Sequence, residues 1–375
     1  MIKMYILMNK DKALAKLEIN NRLAYVTEII NELPGYIGDI RYWIDSRTSP
    51  ITRENVYYAL KIAGINTKEK YLDMTYGISL SDTFWVKHEG SNKTWDDVNP
   101  YKNRFSRLLS DVILNGVYTG GNIKSPSPDY QLDGSIDKCW KRVNGKIYLY
   151  KTDGEKWSGI TGNRPYCEYY AAQVAKQLID FPNHFVKYGI EVNRTKNNLS
   201  KAYAKCPIFT SEKYGYTPMC NTPYRHTLLK DLDHRLEAED RVKLREMLVL
   251  DSIILNFDRH DGNYGLIVDN DTYRPLCLAP IYDNDCSLGP KVSLQGKTNV
   301  DEAYREALSY SPKTQCGSYI QQARWAMTDR MRRNMKNMLP FHFKRLPSDI
   351  DLDTKRIQFM EYIVNTQIKA ILGLI

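Results

Sequence analysis

Apolar positions along the chain follow two different periods. Near the start, residues 5–8 and 14–19 are apolar-rich runs flanking Asn9-Lys10-Asp11-Lys12, a pattern that predicts a β-hairpin. Between 21 and 33 the period changes. Leu23, Val26, Ile30 and Leu33 recur at three- and four-residue steps, which predicts a helix ended by Pro34-Gly35. A second helix is expected after Thr52, with Val56, Leu60 and Ala63 on one stripe and Gly64 as its stop. Residues 77–103 mix aromatics with turn formers and keep neither period.

Gly, Ser, Pro and Asp crowd residues 116–137, which read as a loop region. It feeds a second hairpin, 139–143 and 146–151, joined by Asn144-Gly145, a strong local turn signal. A helix over 166–179 follows, with Ala171, Val174, Ala175 and Leu178 on one face, and more strands are expected between 185 and 219. From Tyr224 the pattern is mostly helical, with a helix at 236–254 and two more after Ser318. The change falls near 213–225. This predicts an α+β, bilobal molecule with a cleft between its lobes. The N-terminal lobe would be 1–214, divided into a subdomain over 1–115 and a sheet with a helix over 116–214. A mainly helical lobe would occupy 215–375.

Composition narrows the class. An apolar fraction of 42% argues against disorder throughout, and 21 Gly with 16 Pro in no period argues against a fibrous chain. No apolar run approaches the roughly 18 residues of a membrane span. The start, with its one short apolar burst, lacks the pattern of a secretion signal. Seven scattered cysteines without a CxxC pair support neither a zinc site nor a disulfide framework, so a cytoplasmic protein is expected, with a secreted effector as the alternative. The net charge of +9 permits an acidic partner without requiring one. Its densest stretch is 324–345, with Arg330, Arg332, Arg333, Lys336 and Lys344 against Asp329. That stretch reads either as a solvated helix face or as a surface for nucleic acid or an acidic protein.

The chemistry concentrates in one segment, LNFDRHDGNYGLIV, residues 255–268. A predicted helix enters it and a strand at 265–268 leaves it. Asp258 and Asn263 stand five positions apart, the separation of the base Asp and the metal-binding Asn in a protein-kinase catalytic loop. A further acid, Asp283, follows a predicted strand at 277–281. Magnesium takes hard oxygen ligands, which Asn263 and Asp283 can offer. Asp258 can accept or orient a hydroxyl proton, and Arg259 or His260 can balance the carboxylates and hold the loop. The plainer alternative is a polar turn joining helix to strand.

DRHDGN followed by IYDND resembles the atypical kinases of the HipA type, and more distantly the phosphoinositide kinases. The resemblance covers roughly residues 120–290 and implies a protein-kinase-like fold with an ATP cleft between the lobes. It implies that Lys151 contacts ATP phosphates and that Glu168 pairs with it. The loop 133–138, with Gly134, Ser135 and Lys138, would cover the phosphates, and Ser135 would be an autophosphorylation site. Phe209 and Ser211 would lie at the adenine-contacting hinge. The base is Asp258 by analogy with HipA and His260 by analogy with the phosphoinositide kinases. The chain departs from the pattern at Asp285, where the family often has Gly, and it lacks the GxGxxG and HRD motifs. The implied activity is ATP- and Mg2+-dependent phosphorylation of serine or threonine in a protein substrate, with autophosphorylation. A catalytically weak pseudokinase, a toxin-like protein paired with a small DNA-binding partner, and a lipid kinase are the other readings. Neither membrane association nor direct nucleic-acid binding is expected.

Overall fold

The computed structural model describes residues 3–20, 24–35, 40–47, 53–132, 134, 136–153, 162–194, 200–296 and 299–375. The first hairpin forms as β1 (Lys3–Asn9) and β2 (Lys12–Ile19), paired antiparallel. On the far side of β2 lies β3 (Ala24–Ile29), and β4 (Phe84–His88) pairs with β1, giving the order β3-β2-β1-β4. The helix expected over 21–33 is therefore replaced over Ala24–Ile29 by a strand, with irregular chain over 30–33. Tyr25, Val26, Thr27 and Ile29 are β-branched or aromatic, a composition that fits a pleated surface. Their backbone joins the ladder of β2, and every residue of β3 after Ala24 is exposed, so Val26 of the three-four series faces no core.

Helices α1 (Ile40–Ser46), α2 (Glu54–Ile62), α3 (Lys68–Thr75), α4 (Trp95–Val98) and α5 (Arg107–Asn115) complete the N-terminal subdomain. Within 77–103 the structure thus places β4 and α4. A second sheet holds β5 (Lys138–Val143), β6 (Lys146–Thr152), β7 (Gly189–Arg194) and β8 (Ser200–Pro207) in the order β5-β6-β8-β7. Its Asn144-Gly145 turn has φ of 48° and 77°, the left-handed pair that matches strand twist. Helix α6 (Arg164–Leu178) packs against this sheet. A connection over 208–213 leads to β9 (Tyr214–Pro218), which pairs with β10 (Gly265–Asp269) and then β11 (Pro275–Leu278). The rest is helical: α7 (Leu229–Arg235), α8 (Ala238–Ile254), α9 (Val300–Leu308), α10 (Tyr319–Ala326), α11 (Asp329–Met338) and α12 (Thr354–Leu372). Three helices follow Ser318, not two. The sheet-rich first part and the helical second part match the expected layout.

Two large cores hold the fold. One centres on α8, with Leu248, Leu250 and Ile253 wholly buried, and takes in α6, α10 and α12. The other joins Tyr5, Trp43 and Leu109 of the N-terminal subdomain to Cys139, Tyr150 and Tyr203 of the second sheet. The N-terminal subdomain and that sheet therefore share one apolar interior. The basic stretch 324–345 resolves into the outer face of α11: Met331, Met335 and Met338 point inward, while Arg332, Arg333 and Lys336 are exposed. Arg330 pairs with Asp180 at 3.4 Å, and Arg345 pairs with Asp351 at 2.6 Å. No helix among the described residues is long and apolar enough to cross a membrane.

Candidate active site

Helix α8 ends at Leu255, whose left-handed φ of 52° turns the chain into the loop 256–264. Asp251, buried in the last turns of α8, organises that loop. Its carboxylate accepts from Asn256 Nδ2 at 3.0 Å and from Arg259 Nε and Nη2 at 2.9 and 3.0 Å. Arg259 is 1% exposed. It also donates to Asn263 O (2.7 Å), Tyr282 O (2.5 Å) and Asn284 Oδ1 (2.7 Å). One guanidinium thus ties the helix, the loop and the segment 282–284 together. Burial would lower its pKa, but Asp251 outweighs this and raises it, so the charge is permanent.

Asn263 Nδ2 donates to Asp258 O at 2.9 Å, which fixes the amide and leaves Oδ1 for another partner. The loop leaves through Gly265. A Cβ there would stand 2.2 Å from Thr217 O of β9, so only glycine fits. Across the loop, Ile281 bridges Phe185, and the chain then bends at Asp283, an aspartate held at φ 60°. A side chain in that left-handed region is strained and needs support from its surroundings.

Lys151, at the end of β6, supplies the support. Its Nζ donates to Glu168 Oε1 at 2.5 Å and to Asp283 Oδ1, and it lies 3.6 Å from Asp285. The other oxygen of Glu168, on α6, accepts from Asn284 N at 2.8 Å. Asp285 pairs with Arg164 at 2.9 Å, and Arg164 also donates to Cys286 Sγ at 3.1 Å. Three carboxylates (Glu168, Asp283 and Asp285) therefore present oxygens within 4.8 Å of one another. Burial alone would protonate Asp283. Lys151, Lys138 and Arg259 outweigh it and hold that carboxyl well below the usual range, so Asp283 stays anionic. Burial pushes the enclosed Glu168 carboxyl up against the pull of Lys151. Lys138 is lowered to about 8, by burial first and by Lys151 after the opposing pull of Asp283.

These groups meet at a cleft of about 730 Å³ between the lobes. One side is apolar, with Leu149, Val186, Phe209 and Tyr282; the other carries Asp258, Asn263, Asp283 and Lys138. Gly134 sits above Lys138 at φ 96°, where a Cβ would approach Lys138 Nζ to 2.8 Å. Asp258 is partly exposed and pairs with Lys313. The donor set Asn263 Oδ1, Asp283 and the nearby Asp285 suits a hard divalent cation.

Most of the sequence-expected residues converge here. Asp258, His260, Asn263, Asp283, Gly134, Lys138 and Phe209 line the cleft, and Lys151 with Glu168 stands behind Asp283. His260 is exposed at the mouth, its Nδ1 accepting from Gly262 N at 3.0 Å. Arg259 holds the loop, one of the two roles expected of it, and is enclosed, fully bonded and off the cleft wall. One expectation changes. Ser211 is not on the cleft wall; its hydroxyl accepts from Lys213 N (3.3 Å) and Tyr214 N (3.0 Å), closing the turn into β9. Ser135 lies outside the described residues. Asp251, Arg164 and Lys313 were not singled out in the sequence. Two signals stood there: an acid in the apolar stretch of α8 requires a partner, and Arg164 precedes Glu168 by one helical turn.

No family model matches the chain, and no curated protein matches it in sequence. Among solved structures, the chain is similar to CtkA, a proinflammatory kinase of Helicobacter pylori, with a TM-score of 0.43 and 16% identity, over 63% of this chain and 93% of that one. A MAP kinase of Leishmania major gives a TM-score of 0.20 and 11% identity, over 64% of this chain and 80% of that one.

Proposed function

We propose that the protein is a HipA-like, ATP- and magnesium-dependent protein kinase that phosphorylates serine or threonine and modifies itself. The observation that carries this reading is the buried Lys151–Glu168 pair reaching Asp283, across one cleft from Asp258 and Asn263. Such a set does little covalent chemistry of its own; it positions groups and stabilises charge.

Asp283 and Asn263 would hold the cation, which neutralises charge on the phosphates. Lys138 and Lys151 bring positive charge to the same end of the cleft, and the apolar wall at Phe209 and Tyr282 suits a base. A substrate hydroxyl oxygen forms its bond to the γ-phosphorus as the bond to the β-phosphate oxygen breaks. Asp258 takes the hydroxyl proton, and ADP leaves. Asp258 is favoured over His260 as base because it lines the cleft half-buried, while His260 is exposed and its Nδ1 accepts from Gly262 N. Asp285 adds a carboxylate near the phosphates, and Arg164 offsets it. The exposed face of α11 would be the docking surface for a small DNA-binding partner, and co-purification tests that role.

Incubation with γ-labelled ATP and magnesium tests the reading. The native protein should label itself, and Asp283→Ala should lose the label by at least about a hundredfold, the effect of losing several kcal/mol of charge stabilisation. Equal labelling of the two proteins removes the proposal.

A further inference from the structure

The two carboxylate oxygens of Asp258 are held differently. Oδ2 faces the buried Cys286, whose Sγ donates to it at 3.9 Å. Oδ1 accepts from Lys313 Nζ, on a side chain that is 55% exposed. Lys313 stands 55 positions after Asp258 and reaches it from the connection between α9 and α10. That connection is rooted on α8, the helix that delivers the loop 256–264. Thr314, beside Lys313, is buried, and its Oγ1 donates to Gln322 Oε1. Gln322 is wholly buried and donates through Nε2 to Leu248 O at 2.9 Å and Ser252 Oγ at 3.1 Å, both on α8. The buried scaffold therefore brings the ammonium of Lys313 to Asp258.

A second cation stands on the same side. Lys291 Nζ lies 4.6 Å from the ring centre of Phe257 and 5.1 Å from that of Tyr310, and the two rings are 5.1 Å apart. Phe257 directly precedes Asp258, and Tyr310 lies one short turn before Lys313. Phe257, Lys291 and Tyr310 are each half-buried, so with Lys313 they form a surface shelf beside the outer oxygen of Asp258. The acids deeper in the cleft do not answer this charge, because Asp283 pairs with Lys151 and Asp285 with Arg164. Nucleotide and cation make no use of the shelf in the kinase reading. A hydroxyl approaching Oδ1 meets Lys313 there. A carboxylate next to that hydroxyl finds opposite charge, and an ammonium finds like charge.

We propose that Lys313 and Lys291 select the phosphate acceptor, a serine or threonine flanked by acidic residues. A carboxylate of the substrate takes Lys313 Nζ over from Asp258 and leaves Oδ1 open to the hydroxyl. The inference rests on the kinase reading with Asp258 as base. A positional peptide library tests it, with one serine or threonine fixed and each flanking position varied in turn, incubated with the protein, γ-labelled ATP and magnesium. At one flanking position or more, the native protein should favour aspartate or glutamate over glutamine by about two- to fivefold, the effect of one exposed ion pair. Lys313→Glu should turn that preference towards lysine and arginine, which a loss of structure would not do. Lys313→Met should abolish the preference, and Lys291→Met should weaken it. A flat or basic preference in the native protein, or an acidic preference that survives both Lys313 substitutions intact, overturns the acceptor assignment. So does self-labelling of the native protein with no peptide labelled. Loss of all transfer in both Lys313 variants would place Lys313 in the chemistry itself and likewise overturn its selective role. If neither the native protein nor any peptide is labelled, the kinase reading itself falls.

Discussion

Arg259 stands next to Asp258 in the sequence but faces the interior, where Asp251, Asn263, Tyr282 and Asn284 take up its donors. Removing one member of a buried ion pair leaves the other charged in an apolar setting, at a cost of about 3–5 kcal/mol. Arg259→Met should lower stability by that amount in denaturant titration with no nucleotide present. Unchanged stability with lost activity would instead make Arg259 a substrate-contacting group. Asp129, in the turn before β5, offers a pH test. It is fully buried and accepts from Trp140 N (2.6 Å) and Ser127 Oγ (2.8 Å); burial raises its pKa from 3.8 to about 6. The folded chain then binds more protons than the unfolded chain between about pH 4 and 6, so stability falls as pH rises through that window. Relative to Asp129→Asn, the native protein should lose about 2–3 kcal/mol from pH 4 to pH 7. Parallel pH profiles would contradict this. At this scale Asp258, Asn263 and Asp283 were legible because their spacing is a sequence property. The enclosure of Arg259 and the turn role of Ser211 were not, because exposure is decided by distant segments.

Elements were legible where one local signal dominated. The Asn144-Gly145 turn, the stop at Gly64 and the long helix before the loop 256–264 all appear. The strand β3 was misread because Val26 and Ile30 satisfy a helical spacing by chance; pairing with β2 decides the backbone. The close approach of β9 to β10 was also hidden, although it sets where the loop exits. Gly265→Ala would push a Cβ to 2.2 Å from Thr217 O. The strands should separate, with a loss of about 1–3 kcal/mol and a lower melting temperature. An unchanged melting temperature would show that β9 can shift freely.

Across the whole molecule, the shared core makes the N-terminal subdomain part of the same folded unit as the second sheet. Tyr5, Trp43 and Leu109 pack in one cluster with Tyr150 and Tyr203, and Glu212 of the 208–213 connection accepts from Trp95 Nε1 (2.7 Å) and Asn99 Nδ2 (3.0 Å). Limited proteolysis should therefore release no stable fragment beginning near residue 116, and a chain cut there should be recovered unfolded. A soluble, cooperatively melting fragment would show that the subdomains fold separately. A two-part layout was readable from the change of period near 213–225. The packing of the first subdomain onto the cleft was not, because it depends on contacts between residues more than 100 positions apart. The central claim is that the Asp258–Asn263 loop and Asp283 transfer phosphate. A mass-spectrometric phosphosite map, taken after incubation with Mg–ATP, tests it most directly. The native protein should carry phosphate on serine or threonine, and Asp258→Asn should carry none. A native protein that binds Mg–ATP yet remains unmodified, and transfers phosphate to no added protein, would contradict the account.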